Sequence, residues 1–493
     1  MLKLRRKLFV AIVLARFYSL RANSADLNAA TAKLLADSAP VLQHGRVGYS
    51  FVDVQSGSVL AARDPDVNFV PASNMKLYTT TLALVRLGSD YRFHTELRTT
   101  AEFQAGQKAI GDLFLVGGGD PNLSGRPLPY QVSAVDGDPF AGLRDLANQL
   151  SAAGVREVKG DVTGVASRYG SELFPPGWTV DDTSYDYGAP VSALTVNDNS
   201  VSAVFRPTAN GELADLELRP FPNGLLVLNE VLTDSSKPTH IEFRRALGSN
   251  ELILYGTISN TASEWREEFS VTDPARFAAQ ALIGALRERG ISVRGEARSD
   301  YTQRAPEGPV LATRDSLPLA QLIQIVNKVS QNLHAEMLLR EVAYAMTGVG
   351  SLENGTKERE AFLVEAGVTR NGTGFSSSDG SGLSRSDLTT PNSTVTLLRY
   401  MWPRPERDAW LESLPVGAWD GSLEHRFRGL AGSQRVHAKT GSLSHVNALS
   451  GYLETKSRRT VAFSIMVNGT PALESAVRDF IDKLCALFLD QMS

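Results

Sequence analysis

Residues 71–77 read Pro-Ala-Ser-Asn-Met-Lys-Leu, and this stretch decides how the rest of the chain is interpreted. Ser73 and Lys76 lie three residues apart at the predicted start of a helix, so their side chains project from one face. A Lys that loses its proton beside a Ser hydroxyl can act as the base that activates it. The Ser73 N–H has no partner inside the helix and is free to stabilise an oxyanion. The stretch therefore predicts a serine nucleophile and its base.

Two further short motifs follow this stretch along the chain. Ser330-Gln331-Asn332 lies at a predicted corner between two helices, and Lys439-Thr440-Gly441-Ser442 lies on a predicted strand. Taken alone, the three motifs are typical of a capped surface helix, a helix N-cap and a strand end with a turn glycine. Their occurrence together and in this order instead favours one catalytic site.

The three motifs resemble those of the penicillin-recognising serine acyltransferases, which combine Ser-x-x-Lys, Ser-x-Asn and Lys-Thr-Gly. Residues 77–329 separate the first motif from the second, whereas the compact β-lactamases of that superfamily have a far shorter segment there. The long insertion is similar to that of the low-molecular-mass class C penicillin-binding proteins, the D-alanyl-D-alanine carboxypeptidase/endopeptidase group called peptidase family S13. Residues 118–121, 379–384 and 420–423 also resemble accessory motifs of that family.

The resemblance implies an α+β multidomain protein. Its serine transpeptidase-like domain, of the penicillin-binding and β-lactamase type, is an antiparallel sheet flanked by helices and is expected over residues 26–92 and 301–493. Frequent strand-like runs and turns over residues 93–300 indicate a large β-rich insertion, an accessory part of one or two domains. Five strands of the first domain and a C-terminal helix are predicted over Val47–Val54, Ser58–Ala62, Val436–Thr440, Val446–Leu453, Thr460–Val467 and Ala472–Met492.

The resemblance also assigns roles to the residues of the first two motifs. Ser73 attacks the carbonyl of a D-Ala-D-Ala peptide bond or of a β-lactam ring and forms an acyl-enzyme. Lys76 accepts the proton of the Ser73 hydroxyl. Ser330 relays a proton to the leaving amine, and Asn332 orients Lys76 and the amide of the acyl side chain.

The third motif is expected to bind the substrate. Lys439 and Thr440 offer a fixed cation and a hydroxyl to the terminal carboxylate of the substrate. Gly441 allows close approach of the backbone, and the N–H groups of Ser73 and Ser442 form the oxyanion hole.

One segment of the insertion is implied to contribute to substrate binding. Residues 177–182 read Gly-Trp-Thr-Val-Asp-Asp and are similar to a family segment that contacts the side-chain amine of a diamino acid in the peptide stem. Asp182 aligns with the acidic position better than Asp181 does. An ordinary surface loop is the alternative explanation of this segment.

The expected protein is a periplasmic serine carboxypeptidase/endopeptidase that acts on the D-Ala-D-Ala stem peptides of peptidoglycan and is acylated by β-lactam antibiotics. Carboxypeptidase and endopeptidase activities share one acyl-enzyme, and the sequence does not decide between them. A serine β-lactamase and a catalytically silent peptidoglycan-binding protein of the same fold are the alternatives. A cytosolic aminopeptidase or esterase also stays open if the N-terminus is not a signal.

The N-terminus and the composition give the expected location and exclude several classes of partner. Residues 1–25 combine Lys and Arg with a short apolar run and small residues, which predicts a signal peptide; a basic leader on a cytosolic protein is the alternative. The formal net charge of −4 argues against nucleic-acid binding. The seven histidines show no metal-ligand spacing, and no cofactor is expected. Peripheral membrane contact through the C-terminal helix stays open.

Overall fold

The computed structural model describes residues 27–491 except 101, 105, 127, 129–136, 221–223 and 370–373. The predicted signal peptide lies outside these residues. None of the helices within the described part of the chain combines the length and hydropathy that a bilayer crossing requires. The described residues fold into two compact units, of which the first is drawn from the ranges Met1–Thr81, Gln324–Ser330 and Arg359–Ser493, and the second from Leu82–Ile323 and Gln331–Glu358.

The first unit is built on a five-stranded antiparallel sheet assembled from both ends of the chain. Strand Arg46–Asp53 pairs along its whole length with Thr460–Asn468, and Arg459 donates from Nε and Nη2 to the Asp53 carboxylate at 3.1 and 2.9 Å. The predicted antiparallel sheet is therefore confirmed. The order of the strands across it is Val436–Leu443, Val446–Glu454, Thr460–Asn468, Arg46–Asp53 and Val59–Arg63.

One face of this sheet forms an apolar core with the terminal helices. Phe51 stacks against Phe463 of the neighbouring strand and Phe488 of the helix Glu474–Gln491, with ring centroids 5.6 and 3.8 Å apart. Cys485 of the same helix is fully buried, as is expected of a packing thiol. Full burial of each such phenyl ring stabilises the fold by about 2 kcal/mol. Helices 27–37 and Ala39–Leu42 complete this layer.

The opposite face of the sheet is more polar. The hydroxyl of Ser450 donates to that of Ser464 at 2.8 Å across two strands, and Tyr452 donates to the carbonyl of Leu398 at 2.6 Å. This face receives the short turn that carries Ser73. The remaining elements of the first unit are helices Pro391–Met401 and Arg407–Ser413, strands Phe375–Ser376 and Leu388–Thr389, and 3₁₀ turns Ala72–Asn74, Gly421–Leu423 and Ser433–Arg435. Helices Met75–Leu87, Leu319–Lys328 and Leu352–Glu365 are divided between the units.

The second unit contains four sheets among its described residues. The largest is mixed and has the order Ala297–Asp300, Val162–Val165, Leu113–Val116, His94–Arg98 and Val310–Asp315, with its first three strands parallel. A small parallel sheet joins Ser292–Val293, Glu157–Val158 and Ala109–Ile110. The other two sheets have the orders Trp265–Ser270, Ser200–Arg206, Asp215–Arg219 and Leu226–Asp234, Glu251–Ser259, His240–Arg244.

Helices Ala141–Ala152, Pro274–Glu288 and Asn332–Thr347 complete the second unit, with 3₁₀ turns at Asp182–Ser184, Asp186–Gly188 and Asn197–Asn199. The helix Pro274–Glu288 begins where its sequence predicts, because Asp273 accepts the N–H of Arg276 at 3.1 Å and Pro274 follows the cap. The second unit contains all of residues 93–300 and also 82–92, 301–323 and 331–358. The accessory role of residues 93–300 stays a prediction.

Candidate active site

Ser73 lies in a tight turn that two glycines of the first unit allow to form. Ala72 adopts a left-handed φ of +48°, which is strained for a residue with a side chain. A Cβ atom on Gly382 would lie 1.8 Å from the carbonyl oxygen of Ala72, and one on Gly441 would lie 2.6 Å from that of Pro71. Only glycine at both positions lets the loop 379–384 and the strand Val436–Leu443 pack against the turn.

Lys76 is the nearest basic group to the predicted nucleophile. It is fully buried, and its Nζ donates to the Oγ of Ser73 at 2.9 Å and to the carbonyl of Ser381 at 2.8 Å. The helix Met75–Leu87 sets this pairing, because positions three apart face the same side. The distance is within the range required of a base that takes a proton directly.

A second Ser–Lys pair lies in the same unit. Lys439 is fully buried, and its Nζ donates to the Oγ of Ser330 at 2.8 Å and to the carbonyl of Thr440 at 2.9 Å. Burial, and after it the charge of Lys76, hold the pKa of Lys439 well below its usual value. Ser330 itself has a left-handed φ of +64°, and such strain in non-glycine residues clusters at functional sites.

The end of the Lys439 strand is held by a neighbouring turn. Thr440 donates from Oγ1 to the Oγ of Ser422 at 2.7 Å. Lys328 donates to the Asp420 carboxylate at 2.5 Å and to the carbonyl of Leu414 at 3.0 Å, which fixes the turn that carries Ser422. The resemblance singled out residues 420–423, and this contact gives them a physical role.

Gly441 and Ser442 complete the third motif. A Cβ on Gly441 would lie 3.2 Å from the backbone nitrogen of Ser73, so the strand passes directly beside the nucleophile. Ser442 is exposed at the end of this strand. The first unit thus brings together seven of the nine predicted site residues: Ser73, Lys76, Ser330, Lys439, Thr440, Gly441 and Ser442.

The other two predicted residues, Asn332 and Asp182, belong to the second unit, where both interact with Tyr187. Asn332 starts the helix Asn332–Thr347, and its Nδ2 donates to the carbonyl of Tyr187 at 2.8 Å. Asp182 accepts the N–H of Thr179 at 3.0 Å, and it raises the pKa of Tyr187, after burial, by its charge and hydrogen bond. The neighbouring Asp181 is exposed.

Among the described residues, no group of three or more His, Cys, Asp or Glu side chains could hold a metal ion.

Comparison with known proteins identifies the class to which this arrangement belongs. The family described as D-Ala-D-Ala carboxypeptidase 3 (S13) matches residues 27–491. The chain belongs to this family. A D-alanyl-D-alanine carboxypeptidase of Actinomadura sp. (strain R39) is 34% identical over 444 residues, which cover 87% of this chain and 79% of that protein. The chain is accordingly a hydrolase of the D-Ala-D-Ala carboxypeptidase class.

Other S13 carboxypeptidases and a solved structure agree with this assignment. The D-alanyl-D-alanine carboxypeptidase DacB of Haemophilus influenzae is 26% identical over 441 residues, which cover 88% of each chain. The crystal structure of penicillin binding protein 4 from the same organism has a TM-score of 0.79 and 23% identity, covering 92% of this chain and 99% of that one. The structural likeness shows a common fold and confirms the predicted penicillin-binding-type α+β architecture.

Two contacts of the candidate site in this S13 carboxypeptidase could not be found from its three motifs. Asn74 donates from Nδ2 to the Oγ of Ser450 at 2.7 Å, and this bond anchors the nucleophile turn to the sheet. The Nζ of Lys76 donates hydrogen bonds both to the carbonyl of Ser381 and to the hydroxyl of Ser73. Residues 379–384 were recognised only as a family-like segment, and nothing in their local spacing indicates a contact with Lys76.

Proposed function

We infer that the protein is a periplasmic serine D-Ala-D-Ala carboxypeptidase/endopeptidase that acts on peptidoglycan stem peptides through an acyl-enzyme on Ser73, and that β-lactams acylate the same hydroxyl. The observation that carries this proposal is the 2.9 Å contact between the Nζ of buried Lys76 and the Oγ of Ser73. The second pair, Ser330 and Lys439, supports it by offering a separate route for the proton to the leaving group.

The reaction begins with attack of the Ser73 Oγ on the peptide carbonyl between the two D-Ala residues. Lys76 takes the hydroxyl proton as the O–C bond forms. The N–H groups of Ser73 and Ser442 stabilise the oxyanion, and each such donor is typically worth about 3 kcal/mol in the transition state. The C–N bond then breaks, and the amine of the departing D-Ala takes a proton through the hydroxyl of Ser330. Water hydrolyses the ester and restores Ser73.

Lys439 is proposed to serve two steps, proton exchange with Ser330 and binding of the substrate carboxylate. Next to Ser330, a Lys that loses its proton easily can exchange it with the hydroxyl that protonates the leaving amine. A substrate carboxylate brought to Lys439 and Thr440 favours the charged ammonium and strengthens binding. β-Lactams carry a carboxylate in the corresponding position, so they would meet the same pair.

Two residues of the second unit, Asn332 and Asp182, are also proposed to have roles. Asn332 is proposed to orient Lys76 and the acyl side-chain amide, and its bond to the carbonyl of Tyr187 supports a fixed side chain. Asp182 is proposed to bind the ammonium group of the diamino acid, with the exposed Asp181 as the alternative carboxylate.

The proposed periplasmic location depends on export through residues 1–25, whose basic and apolar pattern supports a signal peptide.

Release of D-Ala from a synthetic stem pentapeptide ending in D-Ala-D-Ala tests the proposed reaction. The wild type should release one D-Ala per peptide, whereas Ser73→Ala should release none, because no other group supplies the nucleophile. A matched peptide ending in L-Ala-L-Ala is the substrate control and should remain intact. Equal release by Ser73→Ala, or equal cleavage of the L,L-peptide, would contradict the proposal.

A further inference from the structure

The orientation of Lys76 depends on a loop that is not part of the three motifs. The second hydrogen bond of the Lys76 Nζ goes to the carbonyl of Ser381 at 2.8 Å, slightly shorter than its bond to Ser73. This carbonyl belongs to the loop 379–384, which packs against the nucleophile turn through Gly382. Whatever fixes the direction of the Ser381 carbonyl therefore helps to fix the amine.

A single buried carboxylate organises this loop. Asp379 is fully buried and accepts the N–H groups of Ser381 at 3.1 Å, Gly382 at 2.7 Å and Ser384 at 2.7 Å. The N–H of Gly382 and the carbonyl of Ser381 belong to one planar trans peptide and point in opposite directions. Because Asp379 holds one end of this peptide plane, it directs the other end towards Lys76.

A second carboxyl group supports Asp379. Asp387 is fully buried, and its Oδ1 accepts the N–H of Ser378 at 2.6 Å. Burial, the charge of Asp379 and a hydrogen bond with it raise the pKa of Asp387 well above its usual value. The raised pKa favours the protonated form of Asp387, which can donate a hydrogen bond to the carboxylate of Asp379.

The loop is also tied to the helix that carries Lys76. Thr79, almost one turn beyond Lys76, donates from Oγ1 to the carbonyl of Gly380 at 2.6 Å. The buried Arg359 donates to the carbonyl of Asp379 at 2.7 Å and to the Oγ1 of Thr79 at 3.3 Å. These contacts link the loop and the helix into one rigid set of hydrogen bonds.

We propose that Asp379 is a positioning residue for the base Lys76, acting through the peptide plane that joins Ser381 and Gly382. The proposal deepens the proposed function and rests on it, since it assumes that Lys76 accepts the proton of Ser73. It separates the two acids by role: Asp379 accepts three backbone N–H groups of the loop, whereas Asp387 accepts only the N–H of Ser378.

The test is the pair of variants Asp379→Asn and Asp387→Asn. The amide of Asp379→Asn cannot accept the same set of N–H groups, so the peptide plane loses its anchor. A misplacement of about 1 Å at a reacting group can cost about 100-fold in rate, and we expect a loss of that order in the limiting rate of acylation by benzylpenicillin. The affinity for the drug before acylation should stay within about threefold, because Lys439 and Thr440 are untouched.

Asp387→Asn is the matched control. Its Nδ2 can donate to Asp379 as the protonated acid does, and its carbonyl can accept the N–H of Ser378, so acylation should stay within about threefold of the wild type. If Asp379→Asn lowers both the affinity for benzylpenicillin and the limiting rate of acylation, Asp379 has a merely structural role and the proposal is wrong. An unchanged limiting rate in Asp379→Asn would overturn the proposal directly.

Thr79→Val is a second variant that tests the role of the loop if Asp379→Asn fails to fold. This variant removes the hydroxyl that donates to the carbonyl of Gly380 and accepts from Arg359, so its limiting acylation rate should fall by about tenfold and its thermal stability should fall modestly. A wild-type rate would then overturn the role of the loop. Wild type and Ser73→Ala are run beside all variants: absence of an adduct on the wild type would instead overturn the proposed function and with it this proposal.

Discussion

At the scale of single residues, the proposed chemistry of the site depends on two buried lysines. Lys76 and Lys439 are both fully buried, and each donates to a serine hydroxyl, at 2.9 and 2.8 Å. Burial of an ammonium group disfavours its charged form, and a second ammonium nearby adds to this effect. The pKa of Lys439 is lowered for both reasons, which lowers the stability of the folded protein and suits the proton transfer proposed for this residue.

Replacing Lys439 by Met should therefore stabilise the protein while abolishing acylation. The unfolded chain binds a proton at Lys439 up to the usual pKa, but the folded chain releases it at lower pH, and each unit of this difference costs about 1.4 kcal/mol. Thermal unfolding should show a higher melting temperature for Lys439→Met at pH 7. The difference should shrink as the pH rises towards the ordinary pKa of Lys, where both states are neutral.

Lys483→Met is the control for this experiment, because Lys483 is largely exposed and pairs only with Asp479 one turn away. It should show no such pH-dependent gain. A Lys439→Met variant that is less stable than the wild type at every pH would show that hydrogen bonding, rather than desolvation of the charge, dominates at this position.

At the scale of elements, the site depends on two segments that pack against the turn that carries Ser73. The strand Val436–Leu443 passes beside it at Gly441, and the loop 379–384 passes beneath it at Gly382. Gly382 has a φ of +85°, and a Cβ there would lie 1.8 Å from the carbonyl oxygen of Ala72. The loop is therefore held in place by close backbone packing as well as by the carboxylate of Asp379.

Comparison of Gly382→Ala with Gly88→Ala separates close packing from backbone strain. Gly88 has a similar φ of +88°, but a Cβ there would meet nothing within 4 Å. Gly88→Ala should cost about 1–2 kcal/mol through its left-handed backbone alone. Gly382→Ala should cost about 2 kcal/mol more, because a backbone atom must move, and it should also slow acylation. Urea unfolding and the rate of β-lactam acylation measure both effects, and equal losses in the two variants would contradict the packing argument.

At the scale of the whole molecule, the two ends of the chain build the unit that holds the Ser–Lys pairs. Strands near residues 46–63 and 436–468 form one sheet, and the residues between them supply the second unit and the corner at Ser330. This arrangement was predictable from the strand-like runs of the five segments together with the family resemblance, and one of the three motifs, at Lys439, lies on a strand of the sheet. The strands observed begin and end within a few residues of the predicted ones.

The site was predictable only in part. The pairing of Ser73 with Lys76 follows from helical spacing, whereas the pairing of Ser330 with Lys439 required the family resemblance, since it joins residues far apart in sequence. The effect of Asp379 on the pKa of Asp387 could not be predicted, because two carboxyl groups influence each other strongly only when the fold buries them together. The sheets of the second unit were also beyond prediction: parallel pairing of Leu226–Asp234 with Glu251–Ser259 leaves no local sequence signal.

The central claim is that Ser73 forms an acyl-enzyme, and intact-mass spectrometry over time after addition of benzylpenicillin tests it most directly. The account predicts a long-lived adduct of one drug molecule on the wild type and none on Ser73→Ala. Rapid loss of the drug with no accumulating adduct would indicate a β-lactamase instead. An adduct that persists on Ser73→Ala, or no adduct and no drug turnover on the wild type, would contradict the claim that Ser73 is the nucleophile.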